Sequence, residues 1–85
     1  MKNIIDHNKH AEICDFFTSR GLTIKTYFSK NRHMTVTGKV RRVEFYPTTG
    51  TVNCIAANGL KPCTFRDMEL NKALERVVTL ANIGY

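Results

Sequence analysis

The chain has 85 residues, 42% of them hydrophobic and 24% charged, which is enough for one folded domain but leaves little room for a deep substrate cleft. Thirteen Lys and Arg against seven Asp and Glu give a formal net charge of +6, so polyanions such as RNA, DNA or an acidic protein surface are the natural partners. No apolar run is long enough to span a bilayer, so no membrane association is expected. Residues 1–10 are polar and lack the apolar core of a signal peptide. The three cysteines, Cys14, Cys54 and Cys63, are therefore expected to be reduced thiols in a cytoplasm.

The periodicity predicts a single α+β domain over residues 1–85. A first helix starts near Asp6 or Asn8, both good N-caps, and runs to about Arg20, with Ile13, Phe16 and Phe17 on one face. Gly21 then supplies a positive φ, and Leu22 the hydrophobic contact of a Schellman closure. A strand over 22–28 follows, pointing Leu22, Ile24 and Phe28 one way and Thr23, Lys25 and Tyr27 the other. Residues 29–32 form a polar turn.

Met34 and Val36 are apolar at even positions, whereas Val43 and Phe45 are apolar at odd ones. A type II′ turn centred on Gly38 and Lys39 reconciles them, pairing Met34 with Val43 and Val36 with Arg41 on one face. Pro47 and Gly50 build a second turn over 46–51, which places Phe45 opposite Val52 and Val43 opposite Cys54. A last helix follows Lys61 and Pro62. Thr64 and Asp67 read as its capping box, Leu70, Ala73, Leu74, Val77 and Ala81 as its buried stripe, and Gly84 as its end. The expected architecture is a three- or four-stranded antiparallel meander, flanked on one face by the N- and C-terminal helices. In the three-strand alternative the second and third strands merge, giving the element order of double-stranded-RNA-binding domains. Lys72 and Arg76 are too few to supply the basic second helix of that family.

No acidic residue occurs from Phe16 through Val43. Lys25, Lys30, Arg32, Lys39, Arg41 and Arg42 fall in that window and are the candidate phosphate-binding residues. They are expected to form a stripe across the sheet rather than one knot. Tyr27 and Tyr46 share the expected outer face with Lys25 and Arg42, where their rings could stack on unpaired bases. Thr48, Thr49 and the Gly50 N–H offer further donors to phosphate.

Other chemistries find less support. His7, His10 and Cys14 have helical spacing, but a structural zinc site needs a fourth ligand, so no metal or other cofactor is expected. Cys54 and Cys63 read as isolated core or loop residues. His7, His10 and His33 show no convergence that would make a ribonuclease, and Asp6, Glu12 and Asp15 read as cap and helix-surface charges. Phosphate-binding glycine loops, nucleophile elbows and His-Glu-x-x-His helices do not occur in the sequence. A non-enzymatic role is expected.

The stretch Val43-Glu44-Phe45-Tyr46-Pro47-Thr48-Thr49-Gly50-Thr51-Val52 resembles a strand, turn and strand of small accessory proteins of T4-like phages, the toxin–antitoxin inhibitory factors. That resemblance implies a short, basic RNA-binding protein acting in the host cytoplasm, which counters a defence endoribonuclease of the ToxN type by holding it with RNA. It assigns no site residues. Two alternatives stand beside it: an inhibitor that docks its positive face on an acidic host enzyme without nucleic acid, and a small DNA-binding regulator. The edges of so small a sheet also allow a homodimer, with Val40 and Ile55 as contacts.

Overall fold

The first helix, α1 (His7–Thr18), begins where Asp6 accepts a hydrogen bond from the Lys9 backbone N–H at 2.8 Å, satisfying one of the four unpaired donors of a helix start. It ends in a Schellman closure. The Leu22 N–H bonds Phe17 O, the Gly21 N–H bonds Thr18 O, and Gly21 takes φ +80°. Leu22 is buried beneath the turn it closes. The computed structural model describes residues 5–27, 33–57 and 59–84.

Five strands follow: β1 (Thr23–Thr26), β2 (Met34–Thr37), β3 (Arg42–Tyr46), β4 (Thr51–Cys54) and β5 (Cys63–Phe65), and then α2 (Leu70–Asn82). They form one antiparallel meander in chain order, with both helices against the same face. The fold is α+β. Strands β2 and β3 are separate, so the merged alternative does not apply, and a fifth strand is added. No helix of the described residues is long and apolar enough to cross a membrane.

Alternation puts Met34, Val36, Val43, Phe45, Val52 and Cys54 on the inner face, where all are buried. Ile13 and Phe17 of α1 and Ala73, Leu74, Val77, Leu80 and Ala81 of α2 complete the core. Phe17 meets Phe45 edge to face, centroids 5.9 Å apart, the arrangement ring quadrupoles favour.

The turn over 46–50 has the expected consequence. Val43 pairs with Cys54 and Phe45 with Val52, and Gly50 takes φ +72°. The preceding hairpin differs from expectation by two residues: Met34 pairs with Phe45 and Val36 with Val43. Its loop is Lys39 and Val40, flanked by the Gly38 N–H bond to Arg41 O. Gly38 is outside the left-handed region, so no type II′ turn is centred there. Its missing side chain serves packing instead. A Cβ at Gly38 would stand 2.6 Å from the carbonyl of Ala81 in α2. Ala81 O, an unpaired carbonyl at the end of α2, accepts from both the Val40 and Arg41 N–H groups. A slip of two preserves the side-chain face, which is why the core was placed correctly despite the wrong register.

Strand β5 replaces the expected helix start. Thr64 lies within it and donates its hydroxyl to Asn53 Oδ1 at 3.0 Å, so it is no cap. The cap of α2 is Glu69, whose carboxylate accepts from the Asn71 and Lys72 N–H groups. Asp67 turns the chain between strand and helix at φ +54°, a conformation Asp tolerates better than most residues. The end of α2 falls as expected, with Gly84 at φ +109°.

Candidate nucleic-acid interface

With both helices on one face, the other face of the sheet is left uncovered. Pairing aligns its side chains in rows across the strands. The first row runs Tyr27, His33, Tyr46, Thr51. The second runs Lys25, Thr35, Glu44, Asn53, Thr64, and the third Thr23, Thr37, Arg42. Tyr27 and His33 flank residues 28–32 at one end of the sheet, and Lys39 sits in the hairpin at the other end.

The first row is a stack of rings. His33 and Tyr46 lie 4.3 Å apart with planes 6° from parallel, and Tyr27 covers the other side of His33 at 5.1 Å. Neighbouring strands are about 4.8 Å apart, so rings standing in register on adjacent strands fall naturally into stacking distance. Lys25 Nζ stands 5.3 Å from the Tyr27 centroid, a cation–π separation. Tyr27 remains 40% exposed. Glu44 accepts from His33 Nε2 at 3.0 Å and from the Thr35 hydroxyl at 3.2 Å, which fixes the middle ring of the stack. Arg42 Nε approaches the same carboxylate at 3.9 Å, while its side chain stays largely exposed.

Charge divides along the same lines. Of the seven acidic residues only Glu44 lies on the sheet; Asp6, Glu12, Asp15, Asp67, Glu69 and Glu75 belong to the helices and their approaches. Among the described residues, the open face carries Lys25, Arg42 and Arg66 against that one carboxylate. The open face is thus the more positive side.

The six nominated cations separate. Lys25 and Arg42 are exposed on the open face, beside exposed Tyr27 and half-buried Tyr46. Lys39 is exposed at the hairpin loop, off that face. Lys30 and Arg32 lie outside the described residues. Arg41 must be corrected: it is 7% exposed, and its guanidinium donates to Ile55 O, Lys61 O and Gly84 O. The alternation that turns Val43 inward turns Arg41 inward too, and the end of the sheet closes around it. The Gly50 N–H is likewise engaged, by Tyr46 O at 3.0 Å, so it is not presented to a phosphate.

Arg66 joins the face from the end of β5. With Tyr46, Thr49, Thr51, Asn53 and Thr64 it lines a polar cleft of about 340 Å³. Thr51, Asn53, Thr64 and Arg66 are not among the site residues expected from the sequence, because without the fifth strand the cleft they line has no outer wall. The Asn58-Gly59 pair is a hairpin signal, and Ala57 and Leu60 around it bridge in the register of β4 with β5.

The cysteines are arranged more closely than expected. Cys54 and Cys63 are cross-strand partners with Sγ atoms 2.9 Å apart, not isolated. Burial first, and then the neighbouring Cys63 thiol, push Cys54 up to about 12. On α1, His10 Nε2 lies 3.5 Å from Cys14 Sγ and 3.4 Å from Thr26 Oγ1, and burial raises the Cys14 thiol as well. The side chain of His7 lies outside the described residues. Comparison with protein families, curated proteins and solved structures finds no match to this chain.

Proposed function

We propose that this protein is a non-catalytic RNA-binding protein that lays single-stranded RNA along the open face of its sheet. The observation that carries this reading is the Tyr27–His33–Tyr46 stack between Lys25, Arg42 and Arg66 on a face with one carboxylate. Rings favour unpaired bases, which can be splayed onto them, and the cations neutralise the phosphates that follow. Sequence specificity along the strand is low, since most contacts go to the backbone. The resemblance of residues 43–52 to phage inhibitory factors supports a role in the host cytoplasm, restraining a ToxN-type endoribonuclease by holding it with RNA.

The test is fluorescence anisotropy on nuclease-treated protein across a salt series, with single-stranded RNA, double-stranded RNA and duplex DNA. Three phosphate contacts give a slope of log affinity against log salt of about −2 for a single strand. Lys25→Glu with Arg42→Glu should abolish binding at physiological salt while the circular dichroism spectrum stays unchanged. Preference for duplex DNA would favour a regulator. Absence of binding to all three would leave the charge to an acidic protein target and refute the proposal.

A further inference from the structure

The first row of the open face is interrupted. Rings stand beside β1, beside β2 and on β3, then the small side chain of Thr51 on β4, then Arg66 beyond β5. Two strand spacings separate β3 from β5, roughly 10 Å. A planar ring between two stacking partners needs roughly 7 Å, two contacts of about 3.5 Å each. Thr51 is too small to fill that interval, and the polar cleft of about 340 Å³ lies there. One face of Tyr46 is covered by His33, and its other side borders the cleft.

The hydrogen-bonding groups of the cleft are unevenly divided. Thr64 donates to Asn53 Oδ1, which engages the acceptor of that amide and leaves its Nδ2 donors. Thr51 Oγ1 accepts from the Thr49 hydroxyl, which leaves its own O–H as a donor. Arg66 carries donors alone. Arg66 and the Asn53 amide nitrogen can only donate, and although the threonine oxygens keep lone pairs that can accept, donors outnumber dedicated acceptors in the cleft.

From this geometry we infer that the cleft is a nucleobase slot: one unpaired base continues the ring stack between Tyr46 and Arg66, and bases with keto oxygens, uracil and guanine, are taken over cytosine and adenine. The inference rests on the RNA-binding reading above and adds to it a single specific position on an otherwise sequence-tolerant face. Uracil presents O4 where cytosine presents an amino group, and guanine presents O6 and N7 where adenine presents N6 and N7. A donor-rich edge pairs with the first of each couple and leaves the second facing donor against donor.

The test compares oligouridylate, oligocytidylate and an abasic ribose-phosphate oligomer of equal length by anisotropy on the full chain. Wild-type protein should bind oligouridylate about tenfold more tightly than oligocytidylate, the scale of one well-made base contact, and the abasic oligomer more weakly than either. Thr51→Phe fills the slot with a protein ring without changing net charge. It should bring oligouridylate affinity down to about that of oligocytidylate while leaving the salt slope unchanged. Asn53→Ala, which keeps the slot open, should reduce the uracil-to-cytosine ratio towards one. Equal binding of all three oligomers by wild-type protein would overturn the slot and leave RNA binding standing. Preference for cytosine over uracil would overturn the donor assignment. Binding to none of the oligomers would overturn both readings.

Discussion

Arg41 and Arg42 are adjacent in sequence, and their replacement should have opposite effects. Arg41 holds together three parts of the chain: Ile55 after β4, Lys61 before β5 and Gly84 after α2. Arg41→Met keeps the aliphatic stem and removes the guanidinium, leaving three carbonyls without that donor. At about 1 kcal/mol for each carbonyl, allowing for partial rescue by water, the loss is about 3 kcal/mol. A domain of this size is stable by roughly 4–13 kcal/mol, so the unfolding midpoint should fall clearly in urea melts followed by circular dichroism. RNA affinity of the folded fraction should stay within about twofold of wild type, because the Arg41 guanidinium is buried among those carbonyls and does not stand on the open face. Arg42→Gln should do the reverse, holding stability within about 0.5 kcal/mol and flattening the salt slope by about 0.7. An Arg41→Met protein as stable as wild type that has lost RNA binding would refute the buried-clamp assignment.

Gly38→Ala forces a Cβ against the Ala81 carbonyl and should cost about 1–3 kcal/mol in thermal or urea unfolding, although Gly38 has no special φ. Glu44→Gln removes the one carboxylate of the open face and should tighten RNA about two- to threefold at low salt, one unit charge at roughly 8 Å from a phosphate in water. Cys54 keeps its proton in the folded state up to about 12, whereas the unfolded thiol ionises near 9.0. The unfolded chain therefore releases a proton first, and stability should fall as pH rises from about 9 to about 12. In Cys54→Ala that fall should be shallower, as read from urea midpoints across the same range.

The inner face was legible because period-two burial is insensitive to a register slip of two. Pro47 and Gly50 define their turn by local chemistry, and pairing there followed directly. At Gly38 the local signal misled, because a tertiary contact with α2 decides the turn and Gly38 serves close approach rather than positive φ. That slip concealed the ring stack, since only the observed register brings Tyr46 beside His33. Strand β5 escaped notice because it has three residues and because Pro62, in line with Ile55, lacks the N–H that would extend the ladder. Arg41 was nominated on charge even though its own expected pairing with Val36 already turned it to the core. Composition locates a positive region, but the alternation decides which of its cations reach the surface.

The most direct test of the central claim is a heteronuclear NMR titration with a short single-stranded RNA. Amide shifts should cluster on the open face, at Lys25, Thr35, Arg42, Tyr46, Thr51 and Asn53, and leave Lys72, Glu75 and Arg76 of α2 unmoved. Shifts confined to the helical side, or none at saturating RNA, would contradict the assignment of the sheet as the binding surface.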